Sequence, residues 1–255
     1  MKAGKIGIIG GSGFSGKDLF TAQREIAAVT PWGAPSGALH EGNLDGVPVV
    51  QLSRHGRAHV LPPSQVNFRA NLQALKDAGC RCVLASSAVG SLRREIGRGH
   101  CVIPDQFIDF TRQRKMTFFE SFEPGDARHT AMAEPFDAAL RAVLHEQVLR
   151  LGLPCHKTGT VVTIEGPRFS TRAESRMFRL WGGDIINMTT ATEAALANEL
   201  GLPYAVIAMS TDYDAWNEEE DPVSWEQVLE VFRENAGRVM DIILAAVPRA
   251  AELYC

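Results

Sequence analysis

The sequence is short of cysteine, of long apolar runs and of basic charge, and each shortage excludes a class of protein. The five cysteines form no C-x-x-C pair and no cluster with histidine, so we expect neither a zinc site nor a disulfide framework. No window approaches the roughly 18 consecutive apolar residues of a membrane span. The net charge is −4, whereas nucleic-acid-binding surfaces are basic. Residues 1–5 also lead into an apolar strand pattern without a signal peptide's features, so a cytoplasmic location is expected.

Apolar runs alternate with amphipathic helical patterns along the chain. Several runs are continuously apolar, as is typical of strands covered on both faces, and strands are predicted over residues 5–9, 47–52, 82–86, 101–103, 160–164, 184–188 and 204–209. One helix is predicted from Ser64 to Gly79, one ends at Gly152, and the last begins at Ser224. No repeat or linker interrupts this order. The sequence therefore predicts one α/β domain over residues 1–255, with a central mixed sheet flanked by helices.

A glycine-rich motif follows the first predicted strand, at residues 11–16. Its G-x-G-x-x-G spacing is that of a dinucleotide site, but such a site also needs an acidic residue about 20 positions further on. The corresponding stretch, residues 29–33, reads V-T-P-W-G and contains no carboxylate. What remains is exposed backbone N–H groups beside a hydroxyl, which suit a small oxyanion. The alternative is an ordinary glycine turn.

Polar clusters stand at the ends of three further predicted strands. Arg54 and His55 follow the second strand, residues 86–91 end another with hydroxyls and glycine, and residues 187–190 read N-M-T-T. Arginine supplies a planar donor fork and histidine a tunable donor, which are suited to phosphate. Any single cluster could be a turn or a helix cap. Because the carboxyl ends of parallel strands share one edge of a sheet, the clusters together predict an anion site there.

Two aspartates follow the last apolar strand. If the strand geometry continues, its period of two places Asp212 and Asp214 on the same side. Two carboxylates at such close range do not both ionise easily, so the pKa of one is expected to rise, which would make it a general acid. The alternatives are a metal site, for which too few oxygen ligands can be placed, and a solvated acidic turn.

Together these segments resemble a known family. The motifs that carry the resemblance are residues 8–13, 54–57, 132–136, 163–170, 187–189 and 211–214, and they look like those of the 5′-methylthioadenosine phosphorylases, in the trimeric branch of the purine nucleoside phosphorylase family. They follow the family's order over nearly the whole chain. The resemblance implies the purine nucleoside phosphorylase-like fold. It also implies cleavage of 5′-methylthioadenosine by inorganic phosphate, without metal or organic cofactor, in a cytoplasmic homotrimer or dimer of trimers that serves purine and methionine salvage.

The resemblance also implies roles for individual residues. Phosphate would contact Ser12, Arg54, His55, Ser87, Ala88 and Thr189, and the nucleoside would contact Phe169, Ile186, Asn187 and Met188. Asp212 would protonate purine N7 with the help of Asp214, and His129 would reach the ribose pocket of a neighbouring subunit. Asp212 together with Ser170 favours a 6-aminopurine, because a carboxylate accepts from an amino group and repels a keto oxygen.

The 5′ end of the substrate fits the family pattern less well. The resemblance places Trp225 and Val228 at the 5′-alkylthio pocket, where the first position is commonly a smaller aliphatic residue, although both also fit the core face of a helix. Longer family members continue beyond the position of Cys255, so an altered 5′ preference is expected. Residues 112–128 are polar and are predicted to be a lid or an interface loop.

Three alternatives stay open from the sequence. The first is a phosphorylase of another purine nucleoside, such as methylthioinosine, adenosine or a 6-oxopurine nucleoside. The second is a catalytically silent nucleoside-binding protein on the same fold. The third is a dinucleotide oxidoreductase, which the missing acidic residue disfavours.

Overall fold

One mixed β-sheet runs through the molecule, and helices pack against both of its faces. The computed structural model describes residues 4–11, 20–219 and 224–255, apart from the side chains at 225–227 and 232–233. The strands are β1 Lys5–Gly10, β2 Thr21–Ile26, β3 Leu39–Leu44, β4 Val47–Ser53, β5 Cys80–Ser91, β6 Cys101–Val102, β7 Gln106–Phe110, β8 Cys155–His156, β9 Thr160–Ile164, β10 Ile185–Asn187 and β11 Tyr204–Asp212. The helices are α1 Phe68–Asp77, α2 Ala138–Arg150, α3 Arg172–Leu180, α4 Thr190–Glu199 and α5 Trp225–Tyr254.

The central strands are buried on both faces, which explains their continuous apolar runs. Alternate residues of β11 enter two different cores: Val206 packs with α1 and α4 residues, and Ile207 packs with α2 and α5 residues. The predicted α/β fold with a central mixed sheet flanked by helices is therefore confirmed. In the part of the chain that the structure describes, every helix is too short or too polar to cross a membrane.

Strand β5 is the junction of the sheet. It runs parallel to β1 on one side and to β11 on the other, while β4 runs parallel to β1. The carboxyl ends of these strands therefore meet at one edge. The last residues of β5 also pair with β10 in the antiparallel sense, with Gly90 opposite Ile186. As a result, β10 runs back along the last residues of β5 and brings its own polar end, Asn187, within 2.9 Å of the Ser87 hydroxyl at the same edge.

Several elements differ from the sequence prediction. Helix α1 begins after Asn67, whose side chain accepts from the Ala70 N–H at 3.2 Å, and not at Ser64, which lies in a separate 3-10 turn. Strand β2 was not predicted because its TAQREI sequence is polar and nearly all exposed. Helix α4 was missed because almost all of its side chains are buried, which leaves no amphipathic stripe. Helix α3 was also missed, although Thr171 and Glu174 form a capping box that the sequence displays.

Candidate active site

A cavity of about 140 Å³ lies at the edge of the sheet where these strand ends meet. It brings together most of the residues that the sequence predicted for phosphate and nucleoside: Arg54, His55, Ser87, Ala88, Phe169, Ser170, Ile186, Asn187, Met188, Thr189, Asp212, Asp214 and Val228. Residues far apart in the chain thus converge on one pocket. Arg54 and the Ser87 and Thr189 hydroxyls come from the end of β4, from β5 and from the end of β10, whereas Asp212 and Asp214 come from the end of β11 and the turn after it.

Arg54 follows β4 and is fixed by buried hydrogen bonds. Its Nε and Nη2 atoms donate to the two carboxylate oxygens of Glu193, at 2.5 and 2.8 Å, and its Nη1 donates to the Ser86 carbonyl at 2.9 Å. The Nη1 atom lies beside Gly11, where an added Cβ would be 3.3 Å away. Arg54 is only 1% exposed, yet pairing with Glu193 outweighs the effect of burial and raises the pKa of the guanidinium. The arginine therefore stays charged inside the protein.

Two stacked histidines line the cavity beside Arg54. The rings of His55 and His59 are 4.2 Å apart, and His55 Nδ1 lies 2.9 Å from the Leu61 carbonyl oxygen. Burial, reinforced by the nearby Arg54 charge, lowers the pKa of His55 to about 3, and the same causes lower the pKa of His59. His55 is thus a neutral ring at pH 7 that donates from Nδ1 to Leu61. His59 was not predicted, although it follows His55 by only four residues.

Hydroxyl groups surround the start of α4. Asn187 donates from Nδ2 to the hydroxyls of Ser87 and Thr190, at 2.9 and 2.5 Å, and its Oδ1 accepts from the Thr163 hydroxyl at 3.0 Å. Its amide is therefore occupied by the protein, and Asn187 holds Ser87 in place while bordering the cavity. Thr189 is the N-cap of α4, but its hydroxyl makes no capping bond. The positive end of the helix dipole and this hydroxyl both favour an anion.

The two aspartates lie at and just beyond the carboxyl end of β11, and both are buried. Asp212 ends β11, accepting from the Thr211 hydroxyl at 2.7 Å and from the Asp214 N–H at 3.0 Å. Asp214 lies beyond the strand, in a turn with a φ of 33°, so a local turn and not continued strand geometry brings it to the cavity. Its Oδ2 has no hydrogen-bond partner among the described residues.

The raised pKa expected for this pair is present, but its main cause is different. Burial raises the pKa of Asp212 to about 6, against hydrogen bonds from Thr211 and Asp214 that lower it, and the charge of Asp214 contributes less than burial. Burial also raises the pKa of Asp214. Desolvation, which acts on each carboxyl separately, therefore exceeds the like-charge repulsion that the sequence argument used.

Gly90 allows the close approach of Asp212 to β5. A Cβ at this position would lie 2.9 Å from Asp212 Oδ2 and 3.1 Å from Ile186 Cγ2. Any side chain at residue 90 would displace the carboxylate or the apolar wall. The sequence placed this glycine at a strand end, but the reason for it comes from the tertiary structure.

The segment 112–128 is anchored at its beginning. Glu165 accepts from the N–H groups of Arg112 and Gln113, at 2.7 and 3.1 Å, and from Arg114 Nε at 3.1 Å. Arg114 Nη1 also donates to the Met188 carbonyl at 2.7 Å, and its side chain is only 3% exposed. Sequence reasoning missed Arg114, which connects this segment to the floor of the cavity.

Three predicted residues are not placed in the cavity. Ser12 and the side chain of Trp225 lie outside the described residues. His129 is exposed and contacts Phe122, with ring centroids 5.6 Å apart, and it does not line the cavity of its own chain. Among the described residues, no three histidine, cysteine, aspartate or glutamate side chains converge as metal ligands would.

Known proteins resemble this chain over nearly its whole length. A family model for the phosphorylase superfamily matches residues 5–248. The S-methyl-5'-thioadenosine phosphorylase of Xenopus tropicalis is 51% identical over 253 residues, which are 98% of this chain and 90% of the relative. The enzyme of the same name from Danio rerio is 50% identical over 251 residues, with the same coverage of both chains.

Solved structures agree with these sequence matches. The methylthioadenosine phosphorylase of Schistosoma mansoni in complex with adenine has a TM-score of 0.92 and 42% identity, covering 98% of this chain and 92% of that one. A mutant of the adenosine/methylthioadenosine phosphorylase from the same organism, in complex with methylthioadenosine, has a TM-score of 0.89 and 41% identity, covering 97% and 92%. The family resemblance is confirmed: the chain belongs to the phosphorylase superfamily, in the branch of the methylthioadenosine phosphorylases.

Proposed function

We propose that this protein cleaves the N-glycosidic bond of 5′-methylthioadenosine with inorganic phosphate, giving adenine and 5-methylthioribose 1-phosphate. The observation that carries the proposal is one cavity containing both a rigid arginine-and-hydroxyl corner and a buried carboxyl whose pKa is about 6. The first suits an anion and the second suits a proton donor. The relatives at about half identity carry this activity in their names, and the Schistosoma structures contain adenine and methylthioadenosine.

Phosphate would bind at the Arg54 corner of the cavity. The N–H groups of Arg54 that are not engaged by Glu193 and Ser86, together with the Thr189 hydroxyl, supply donors. The Ser87 hydroxyl, which donates to the Ala88 carbonyl at 3.1 Å, would turn toward the bound phosphate. The residues assigned to phosphate are Ser12, Arg54, His55, Ser87, Ala88 and Thr189. Because Glu193 balances the charge of Arg54, and His55 is neutral, the bound phosphate keeps most of its negative charge for the reacting sugar.

The reaction would proceed through a cationic, oxocarbenium-like sugar. A phosphate oxygen attacks C1′ as the bond from C1′ to N9 breaks, and the bonding electron pair goes to the purine. Asp212 gives its proton to N7, so adenine leaves as a neutral molecule, and Asp214 helps to hold that proton. General acid catalysis of this kind typically contributes about 10²–10⁴-fold, and positioning phosphate against C1′ contributes at least as much.

The walls of the cavity would select an adenine nucleoside. Phe169 and Ile186 pack against the purine, and Met188 lies under the ribose, with Asn187 fixing the neighbouring hydroxyls. Asp214 has an unpartnered Oδ2 that can accept from the 6-amino group. By the family resemblance, relatives acting on 6-oxopurines have a glutamate at the position of Ser170, so Ser170 adds no third carboxylate beside Asp212 and Asp214.

The 5′ pocket would be completed by Val228, Trp225 and a neighbouring subunit. Val228 lines the cavity at the start of α5. His129 is exposed on its own chain, as a residue offered to a neighbour would be. The proposed enzyme is a homotrimer or dimer of trimers, and each chain is a single domain over residues 1–255. It uses phosphate as co-substrate and needs no metal or organic cofactor. It would act in the cytoplasm, in purine and methionine salvage.

Incubation with methylthioadenosine, with and without phosphate, tests the proposal by release of adenine. We expect adenine only when phosphate is present, together with one equivalent of the sugar phosphate. Release without phosphate indicates a hydrolase, and no release indicates a silent binding protein or another specificity. Adenosine and methylthioinosine assayed alongside distinguish the alternative phosphorylases, and a kcat/KM higher for adenosine would overturn the choice of substrate.

The substitution Asp212→Asn tests the role of the acid and the choice of base. Asparagine cannot give a proton to N7, so kcat/KM for methylthioadenosine should fall by about 10²-fold or more. Its amide can donate to a 6-keto oxygen, so the relative use of an inosine-type substrate should rise. Asp126→Asn, which changes an exposed carboxylate, is the control. Unchanged adenine-nucleoside kinetics in Asp212→Asn would refute the assignment.

A further inference from the structure

Two buried residues behind Arg54 contact neither substrate in the mechanism described above. They are Glu193 in α4 and Tyr204 at the first position of β11, and both side chains are 1% exposed. A buried carboxylate is costly unless it is paired and hydrogen-bonded. The hydrogen bonds of their side chains, among the described residues, lead to the arginine that faces the anion corner of the cavity.

The Glu193 carboxylate holds the guanidinium by two atoms at once. Its Oε1 accepts from Arg54 Nε at 2.5 Å, and its Oε2 accepts from Arg54 Nη2 at 2.8 Å. A planar fork gripped at two points cannot rotate about its long axis. The third contact, from Nη1 to the Ser86 carbonyl at 2.9 Å, fixes the plane at the end of β5. In the part of the chain that the structure describes, these three bonds leave one N–H on each Nη atom, which the arginine can direct to a ligand or to the Tyr204 hydroxyl.

Tyr204 in turn orients Glu193. Its hydroxyl donates to Glu193 Oε2 at 2.7 Å and also interacts with the Arg54 guanidinium. Complete burial and the adjacent Glu193 charge raise the pKa of this phenol well above its usual value, so the hydroxyl keeps its proton and always donates. Oε2 thus has two donors and Oε1 has one, which fixes the carboxylate in a single orientation.

The position of the pair in the fold connects both ends of the site. Glu193 lies one helical turn after Thr189, and its N–H donates to the Thr189 carbonyl at 3.2 Å. Tyr204 begins the strand that ends at Asp212. Glu193 and Tyr204 therefore connect Arg54 both to the start of α4 and to the strand that ends at Asp212.

We propose that Glu193 and Tyr204 are positioning residues for phosphate, which hold the free N–H groups of Arg54 at the angle that an oxyanion requires. The proposal rests on the proposed phosphorolysis and deepens it, because it assigns residues outside the ligand contacts to the recognition of one of the two substrates. Their loss should weaken binding of phosphate much more than binding of the nucleoside.

The variants Tyr204→Phe and Glu193→Asp separate positioning from charge. Phenylalanine removes only the hydroxyl, and we expect the KM for phosphate to rise at least about threefold. Aspartate keeps the negative charge but is one methylene shorter and cannot span both nitrogens, and we expect a rise of about tenfold or more. In both variants the KM for methylthioadenosine should change less than twofold. Tyr254→Phe, which removes another hydroxyl facing a carboxylate but outside the cavity, is the matched control.

A double substitution shows whether the effect passes through Arg54. In an Arg54→Lys background, adding Tyr204→Phe should not raise the KM for phosphate further. Direct binding of inorganic phosphate, measured by calorimetry on each variant, gives the same comparison without turnover. If the unaltered protein binds phosphate but releases no adenine, the proposed function fails and the binding data still decide this inference. Phosphate affinity in Tyr204→Phe or Glu193→Asp equal to that of the unaltered protein would overturn the inference, whatever the thermal midpoints of the variants. Equal losses of affinity for phosphate and for methylthioadenosine would overturn it as well.

Discussion

Replacing Asp212 by asparagine should stabilise the unliganded protein at neutral and alkaline pH. The carboxyl is 7% exposed, and burial raises its pKa from 3.8 to about 6. A difference of about two pKa units between the folded and unfolded states corresponds to about 3 kcal/mol of unfolding free energy. Asparagine fits the same hydrogen bonds, because its oxygen can accept from the Asp214 N–H and its amide can donate to the Thr211 hydroxyl.

The sign of the pH dependence follows from the raised pKa. Between pH 3.8 and about 6 the folded state holds the Asp212 proton and the unfolded state does not. The stability that comes from this proton is therefore fully present below pH 3.8 and is lost as the pH rises through about 6. The advantage of Asp212→Asn should therefore be smaller at pH 5 and grow to about 3 kcal/mol at pH 8. Urea unfolding without ligands at both pH values measures it, with Asp126→Asn expected to stay within about 0.5 kcal/mol. A variant that is no more stable than the unaltered protein at pH 8 would show that the carboxyl is not destabilised by burial.

Two further predictions concern the same carboxyl. At saturating phosphate, kcat/KM for methylthioadenosine should fall as the pH rises above about 6, because the free enzyme then loses the proton of Asp212. This decrease should be missing in Asp212→Asn. A flat pH profile for the unaltered protein from pH 6 to 8 would argue against proton transfer from Asp212. Gly90→Ala places a Cβ 2.9 Å from Asp212 Oδ2, so kcat/KM should fall about 10²-fold and the free energy of unfolding by roughly 1–3 kcal/mol. Gly37→Ala, whose added Cβ would meet nothing within 4 Å, should leave the kinetics unchanged. Similar kinetics in the two variants would contradict a steric role for Gly90.

Sequence reasoning succeeded where local pattern and burial agree. The strands β1, β4, β9 and β11 are visible as apolar runs because each is covered on both faces, and the start of α5 follows directly after Ser224. Arg54 follows β4 and Asp212 ends β11, so the pattern itself points to these two residues, whereas Phe169, Ile186 and Met188 were assigned to the nucleoside only through the family resemblance. The glycine-rich motif beyond β1 shows the limit of spacing alone, since the context of the motif, above all the absent acidic residue, argued against a dinucleotide site.

The residues that were missed depend on tertiary contacts. Glu193 and Tyr204 lie in stretches that read as ordinary helix and strand, and only the fold brings them to Arg54. Asn187 lines the cavity, and only the fold shows that its amide also holds the hydroxyls of Ser87, Thr163 and Thr190. The cause of the raised pKa of Asp212 likewise depends on how deeply the strand end is buried, which spacing does not reveal.

The anchoring of Arg114 has a consequence for how the protein opens. The start of the segment 112–128 is bonded to Glu165 and to the Met188 carbonyl, and the Phe118 N–H donates to Glu199 at 2.6 Å. Residues 121–131, in contrast, are exposed throughout. In the isolated subunit we therefore expect the two halves to belong to different cooperative units, with amide hydrogens of the exposed half exchanging through small local fluctuations. Those of the anchored half exchange only when the floor of the cavity itself comes apart, so its exchange rate reports on the integrity of the pocket.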